Sequence, residues 1–209
     1  MNITQGIKNI IFDWGGVIIN IDYTRTRQAF IDLGLEDFDE YFSQHNQIEV
    51  FNKLDVGKIS GEEFFKEIKK IMPNGVSTGQ IRDAWNAMLL DFPRENFELL
   101  KDLKEKYRTF LFSNTNEPHL EYYFPKVEEK FGIPTIDPLF EKAYYSCRFG
   151  RRKPDPESFE KILEENDLNP GETLFIDDSP QHLEGASKTG IRTYHLKHPE
   201  KLTDVFKER

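Results

Sequence analysis

The sequence predicts an α/β protein: a doubly wound, mostly parallel sheet with an α-helical insertion after its first strand. Three observations lead there. Short apolar runs at 7–13, 109–112 and 173–176 each stop at a polar group. From about residue 95 onward such runs alternate with segments of helical periodicity, the pattern of βα units. Between 18 and 95 the apolar residues fall at helical spacing alone.

The first strand is the run Ile10-Ile11-Phe12, which ends in Asp13 and is followed by Gly15-Gly16. A run this short, rich in isoleucine and closed by a glycine pair, reads as a buried strand entering a tight turn. Asp13 then stands at the carboxyl end of that strand, where ligands bind in open α/β sheets. In the insertion, Phe30 pairs with Leu33, Phe38 with Tyr41 and Phe42, and Phe64 and Phe65 with Ile68 and Ile71. Ser60-Gly61-Glu62-Glu63 has the form of a capping box ahead of that last group. Breaks fall at Asp55-Val56-Gly57-Lys58, Pro73-Asn74-Gly75 and Phe92-Pro93.

After the insertion a helix over 95–106 leads into the strand Thr109-Phe110-Leu111-Phe112, which stops at Ser113-Asn114. A helix over 119–131 and a weaker strand at Ala143-Tyr144-Tyr145 follow. Asp155 and Pro156 mark the N-cap and first position of a helix to Glu165. The strand Thr173-Leu174-Phe175-Ile176 ends at Asp177-Asp178. A helix over 179–189 is stopped by Gly190, and 191–196 form the last strand. The chain therefore divides into a core domain of 1–17 and 96–209 and a helical domain of 18–95.

The net charge of −9 supplies no basic surplus to replace phosphate counterions, which argues against nucleic acid as a partner. Cys147 is the single cysteine, so no intrachain disulfide forms. The first six residues are too polar for a signal peptide, and no apolar run approaches the ~20 residues of a membrane span. A cytoplasmic monomer without membrane contact is expected.

Three strands thus end in polar groups: Asp13, Ser113-Asn114 and Asp177-Asp178. In a parallel sheet all three ends share one edge. Aspartate is also an ordinary turn and capping residue, so one such end says little. Three on one edge, with Lys153 held before Pro154-Asp155-Pro156, say more. Carboxylates that converge need a compensating cation, and an all-oxygen set of carboxylates, carbonyl and water suits Mg²⁺. The histidines, at 45, 119, 182, 195 and 198, form no zinc-like cluster. Of these His119 alone lies close to a strand end and is a candidate substrate contact. A carboxylate beside a lysine and Mg²⁺ suits attack on phosphorus, with Lys153, Ser113 and Asn114 facing the phosphoryl oxygens. The bland reading of Lys153 is a solvated charge in the run Arg151-Arg152-Lys153.

These residues resemble the haloacid dehalogenase superfamily. Ile11-Phe12-Asp13-Trp14-Gly15-Gly16-Val17 is similar to its first motif and Ser113-Asn114 to its second. Lys153, in Gly150-Arg151-Arg152-Lys153-Pro154-Asp155-Pro156, is similar to its third. Phe175-Ile176-Asp177-Asp178-Ser179, with Glu184-Gly185-Ala186 behind it, is similar to its fourth. The resemblance covers essentially the whole chain. It implies a Rossmann-like (HAD-like) core, with the insertion at 18–95 as the family's helical cap. It implies Asp13 as nucleophile, Lys153 as catalytic partner, and Mg²⁺ held by Asp13, the Gly15 carbonyl, Asp178 directly and Asp177 in support. Gly15, Gly16, Ser113 and Asn114 would surround the phosphate, and Lys58 of the cap loop would meet the substrate.

One departure stands out. Phosphatases of this family carry a second Asp two positions after the nucleophile, as general acid and base; here that position is Gly15. The Gly-Gly form with Ser113-Asn114-Thr115-Asn116 resembles a bacterial subgroup that includes α-glucose-1-phosphate phosphatases. The expected substrate is a small phosphorylated metabolite such as a sugar phosphate. Two competing readings are a 2-haloacid dehalogenase, in which Asp13 attacks carbon without metal, and a phospho-metabolite sensor without turnover.

Overall fold

The computed structural model describes residues 3–39 and 49–207. Tyr41, Phe42 and His45 lie outside the described residues. Five parallel strands form one sheet: β1 (Asn9–Phe12), β2 (Arg108–Ser113), β3 (Lys142–Tyr145), β4 (Thr173–Asp177) and β5 (Arg192–His195), in the order β3-β2-β1-β4-β5. β1 is central. Phe12 is level with Leu111 of β2 and with Ile176 of β4.

Alternate residues of each strand point to opposite faces, and both faces are buried. Ile10, Phe12, Leu111, Leu174 and Ile176 join the apolar cluster on one face; Ile11, Phe110, Phe112 and Phe175 join the other. Helices cover both. α5 (Arg94–Lys104) and α6 (Glu117–Phe131) pack Leu100 and Val127 into the first cluster. α8 (Pro156–Glu165) and α9 (Pro180–Ser187) pack Phe159 and Leu183 into the second. Asp155 caps α8 as its sequence predicts, accepting from Glu157 N at 3.1 Å. The helix expected from 119 begins at Glu117, because Asn116 is its N-cap and Pro118 fits its first turn. A four-residue helix, α7 (Ser146–Phe149), had no periodic signal in the sequence.

The insertion contributes α1 (Tyr23–Asp32), α2 (Glu49–Asp55), α3 (Gly61–Ile71) and α4 (Thr78–Asn86). They bury an apolar cluster of their own, with Phe30, Phe51, Phe64, Phe65, Ile81 and Trp85 in it. The capping box opens α3: Ser60 accepts from Glu63 N, and Glu63 accepts from Ser60 N at 2.8 Å. Two connecting segments run side by side between insertion and sheet. Asn20 N donates to Asp91 O at 3.0 Å, Leu90 N to Asn20 O at 3.0 Å and Asp22 N to Met88 O at 2.9 Å. Val17, Ile18, Ile19 and Phe92 pack with the sheet's cluster rather than with the helical one. The chain is completed by α10 (Leu202–Val205). No helix among the described residues is long and apolar enough to cross a membrane.

Candidate active site

The register of the two central strands brings the first and last acids together. Asp13 follows Phe12 and Asp177 follows Ile176, its level partner on the neighbouring strand. Both side chains therefore leave the same sheet edge on the same face. Asp13 is held in line by its own N–H, which donates to Ile176 O at 2.9 Å.

Lys153 arrives from the loop before α8 and closes the pair. Its Nζ donates to Asp13 Oδ1 at 2.6 Å and to Asp177 Oδ2 at 2.8 Å. It is 0% exposed, with its ammonium 5.6 Å from the Phe112 ring centre and 5.3 Å from that of Phe175. The reading of Lys153 as a solvated charge is thereby excluded. A buried lysine survives as an ion only when paired, and here two carboxylates keep it charged against the penalty of burial.

Asn114 fixes the backbone that delivers this lysine. Its Nδ2 donates to Lys153 O and its Oδ1 accepts from Lys153 N, both at 2.9 Å. Its amide is thus spent on the chain at 153, whereas the sequence reading put it toward the phosphoryl oxygens. Ser113 lies beside it, buried at the end of β2. Thr115 N donates to Ser146 Oγ at 2.9 Å, which ties the same turn to α7.

Asp177 is fully engaged. Besides Lys153, it accepts from Ser179 N at 2.7 Å and from His182 Nδ1, which is 3.0 Å from both carboxylate oxygens. Burial opposes its ionisation, but Lys153 and His182 prevail and hold its carboxyl low. Asp13 moves the other way: burial outweighs Lys153, and Asp177 adds repulsion, so its carboxyl is raised. Asp178 follows the last residue of β4. Burial and Asp177 raise it to about 6. Its carboxylate lies against Gly16, which has φ +77°, and a Cβ at Gly16 would overlap it. The positive φ is what favours glycine there. His195 Nε2 donates to Asp178 O at 3.0 Å and steadies that peptide.

The remaining candidates sit further out. Lys58 is exposed on the loop after α2. His119 is buried, stacked on Trp85 with ring centres 5.1 Å apart and 8° between planes, and its Nδ1 is 2.8 Å from Asn86 Oδ1. Desolvation drives it down to about 3, so it is a neutral packing residue between insertion and sheet. Sequence reasoning overlooked His182; its place in the first turn of α9, just after the acidic pair, was the available signal.

Three carboxylates at this edge meet one buried ammonium, so negative charge is in excess; Asp13 and Asp178 are raised by burial first and by the charge of Asp177 after it. A divalent cation with hard oxygen ligands fits that deficit. Asp13, Asp177 and His182 bring ligand atoms within 4.8 Å of one another, but Asp177 and His182 are already bonded to each other.

A parallel α/β sheet with a carboxylate and a buried lysine at its carboxyl edge, beneath a helical insertion, defines an enzyme class of hydrolases. The chain belongs to the haloacid dehalogenase-like hydrolase family, whose model matches residues 7–190. It is 32% identical to a D-ribitol-5-phosphate phosphatase of Bacteroides thetaiotaomicron, over 97% of this chain and 96% of that one. It also matches an enolase-phosphatase of Persephonella marina at 22% identity, over 93% and 90% of the two chains. Among solved structures, a HAD family enzyme of Bacteroides thetaiotaomicron in complex with magnesium and inorganic phosphate superposes with a TM-score of 0.86. It is 35% identical and covers 96% of this chain and 100% of its own. An L-2-haloacid dehalogenase of Xanthobacter autotrophicus shares the fold at 16% identity and a TM-score of 0.59, over 91% and 77% of the chains.

Proposed function

We propose that this chain is a Mg²⁺-dependent phosphatase of a small phosphorylated sugar or polyol, working as a cytoplasmic monomer through an aspartyl-phosphate on Asp13. The observation that carries the reading is the buried ammonium of Lys153 at 2.6 Å from Asp13 and 2.8 Å from Asp177. The relatives support it: one is a D-ribitol-5-phosphate phosphatase, and another was solved with magnesium and inorganic phosphate. Glucose 1-phosphate, suggested by the resemblance, and ribitol 5-phosphate both belong to this class of ester.

In this reading Asp13 Oδ2, the oxygen not held by Lys153, bonds to phosphorus as the bond to the ester oxygen breaks, and that oxygen takes its proton from water because Gly15 offers no acid. Lys153 offsets charge on the nucleophile and on the phosphoryl oxygens as it spreads in the transition state. Ser113 and the backbone of the Gly15-Gly16 turn line the phosphate, and Asn114 keeps Lys153 in place. Asp13 and Asp178, with the Gly15 carbonyl, would hold Mg²⁺, and Asp177 supports them by anchoring Lys153 and His182. The ion supplies charge neutralisation between carboxylates and phosphate. Water then hydrolyses the aspartyl-phosphate. The helical insertion acts as a cap over this edge, and Lys58 on its loop faces the substrate.

The test is a panel of sugar and polyol phosphates with p-nitrophenyl phosphate, assayed with Mg²⁺ and with EDTA beside Asp13→Ala. Mg²⁺-dependent phosphate release by wild type alone is expected. Release that ignores both EDTA and the substitution would overturn the proposal.

A further inference from the structure

One charged pair joins the helical insertion to the loop that delivers Lys153. Arg152, the residue before that lysine, reaches across to α2. Its Nη1 donates to Asn52 Oδ1 at 2.8 Å and lies 3.3 Å from Asp55 Oδ2. Asp55 Oδ1 also accepts from Asn116 Nδ2 at 3.4 Å. Asn116 is the N-cap of α6, two residues past the asparagine that holds Lys153. Groups from three separate parts of the fold therefore converge beside the reacting centre.

This pair differs from the one beneath it. The Lys153 and Asp13 side chains are 0% and 9% exposed, while Arg152 and Asp55 retain 24% and 19%. Asp55 is thus reachable by solute, and its carboxylate offers about four lone-pair sites, of which its protein partners fill a part.

We propose that Asp55 and Arg152 form a subsite for the alcohol half of the substrate, selecting phosphate esters that carry neighbouring hydroxyl groups. The inference rests on the phosphatase reading and adds the residues that choose among esters. A hydroxyl both donates and accepts, whereas a carboxylate only accepts and a guanidinium only donates. Side by side, the two satisfy adjacent hydroxyls in both senses. An alkyl chain in the same place leaves two partly desolvated charges without new partners, which such sites reject strongly.

The test compares a linear alditol phosphate with an alkyl phosphate of equal chain length. In the wild type with Mg²⁺, the alditol ester should have the higher kcat/KM. Asp55→Asn should shrink that preference about tenfold or more, the loss of one bond to a charged group. Arg152→Lys, which keeps charge but not the planar fork, should shrink it by a smaller factor. Calorimetric binding of both esters to Asp13→Asn and to Asp13→Asn with Asp55→Asn should show the same change without turnover. A preference unchanged in the variants, with both esters weakened equally, assigns Asp55 and Arg152 to holding the fold and overturns the subsite. If the wild type hydrolyses neither ester, the phosphatase reading falls. The binding comparison then decides the subsite: equal affinity for the two esters refutes it, and a preference lost with Asp55→Asn upholds it.

Discussion

Lys153→Met deletes the one cation buried between Asp13 and Asp177 and keeps the length and apolar character of the side chain. At an effective dielectric constant of about 20, Coulomb's law gives roughly 6 kcal/mol for each of contacts at 2.6 and 2.8 Å. Much of that gross attraction is consumed by taking three charges out of water. Breaking a buried pair from one side costs about 3–5 kcal/mol net, because an uncompensated charge remains. We expect a loss of that size in urea unfolding at pH 7.5 with EDTA, which keeps a metal from filling the deficit. Adding Asp13→Asn should restore about 2 kcal/mol, since the second substitution removes the orphaned charge; the pair is strongly non-additive. A loss below about 1 kcal/mol, with additive substitutions, would show that the ammonium does not hold these acids together, and the account of the site would be wrong.

Three further outcomes are expected. Asp13→Asn should abolish turnover while the chain still folds, because the amide fits the strand end and Lys153 keeps Asp177 as a partner, but the amide does not attack phosphorus; activity in this variant would place the nucleophile elsewhere. Gly15→Asp would restore the family's second acid, but a Cβ there meets Ile21 Cδ1 at 3.1 Å. It should therefore raise hydrolysis of esters with poor leaving groups, by about 10²-fold, only when combined with Ile21→Ala; no gain in the double variant would show that the missing acid is not what limits the reaction. His119 is held at about 3 against an ordinary 6.5. The unfolded chain then binds the extra proton between those values, so this contribution to stability is full above pH 6.5 and falls as pH drops. The slope reaches about 1.4 kcal/mol per pH unit, or about 2 kcal/mol by pH 5. The stability gap between wild type and His119→Gln should narrow by that amount from pH 7.5 to 5, and a gap independent of pH would contradict the neutral, buried state.

Much of this architecture was legible in the residues because its signals are local. A β-rich run closed by glycines, a capping box at Ser60 and a proline after Asp155 depend only on neighbours in the chain, and strands and helices formed where those signals lie. The three polar strand ends were legible for the same reason, as was the missing acid at Gly15. What sequence spacing does not contain is which strand lies next to which, and which way each side chain turns. The order β3-β2-β1-β4-β5 makes β1 and β4 neighbours although 160 residues separate them. That adjacency, with Phe12 level with Ile176, put Asp13 and Asp177 on one face under a single ammonium. Tertiary packing likewise placed Asn114 on the backbone of Lys153, buried His119 against Trp85 and joined Arg152 to Asp55. Those are contacts between groups far apart in the chain, chosen by packing of both sheet faces and by the need to pair every buried charge, and only the folded chain decides them.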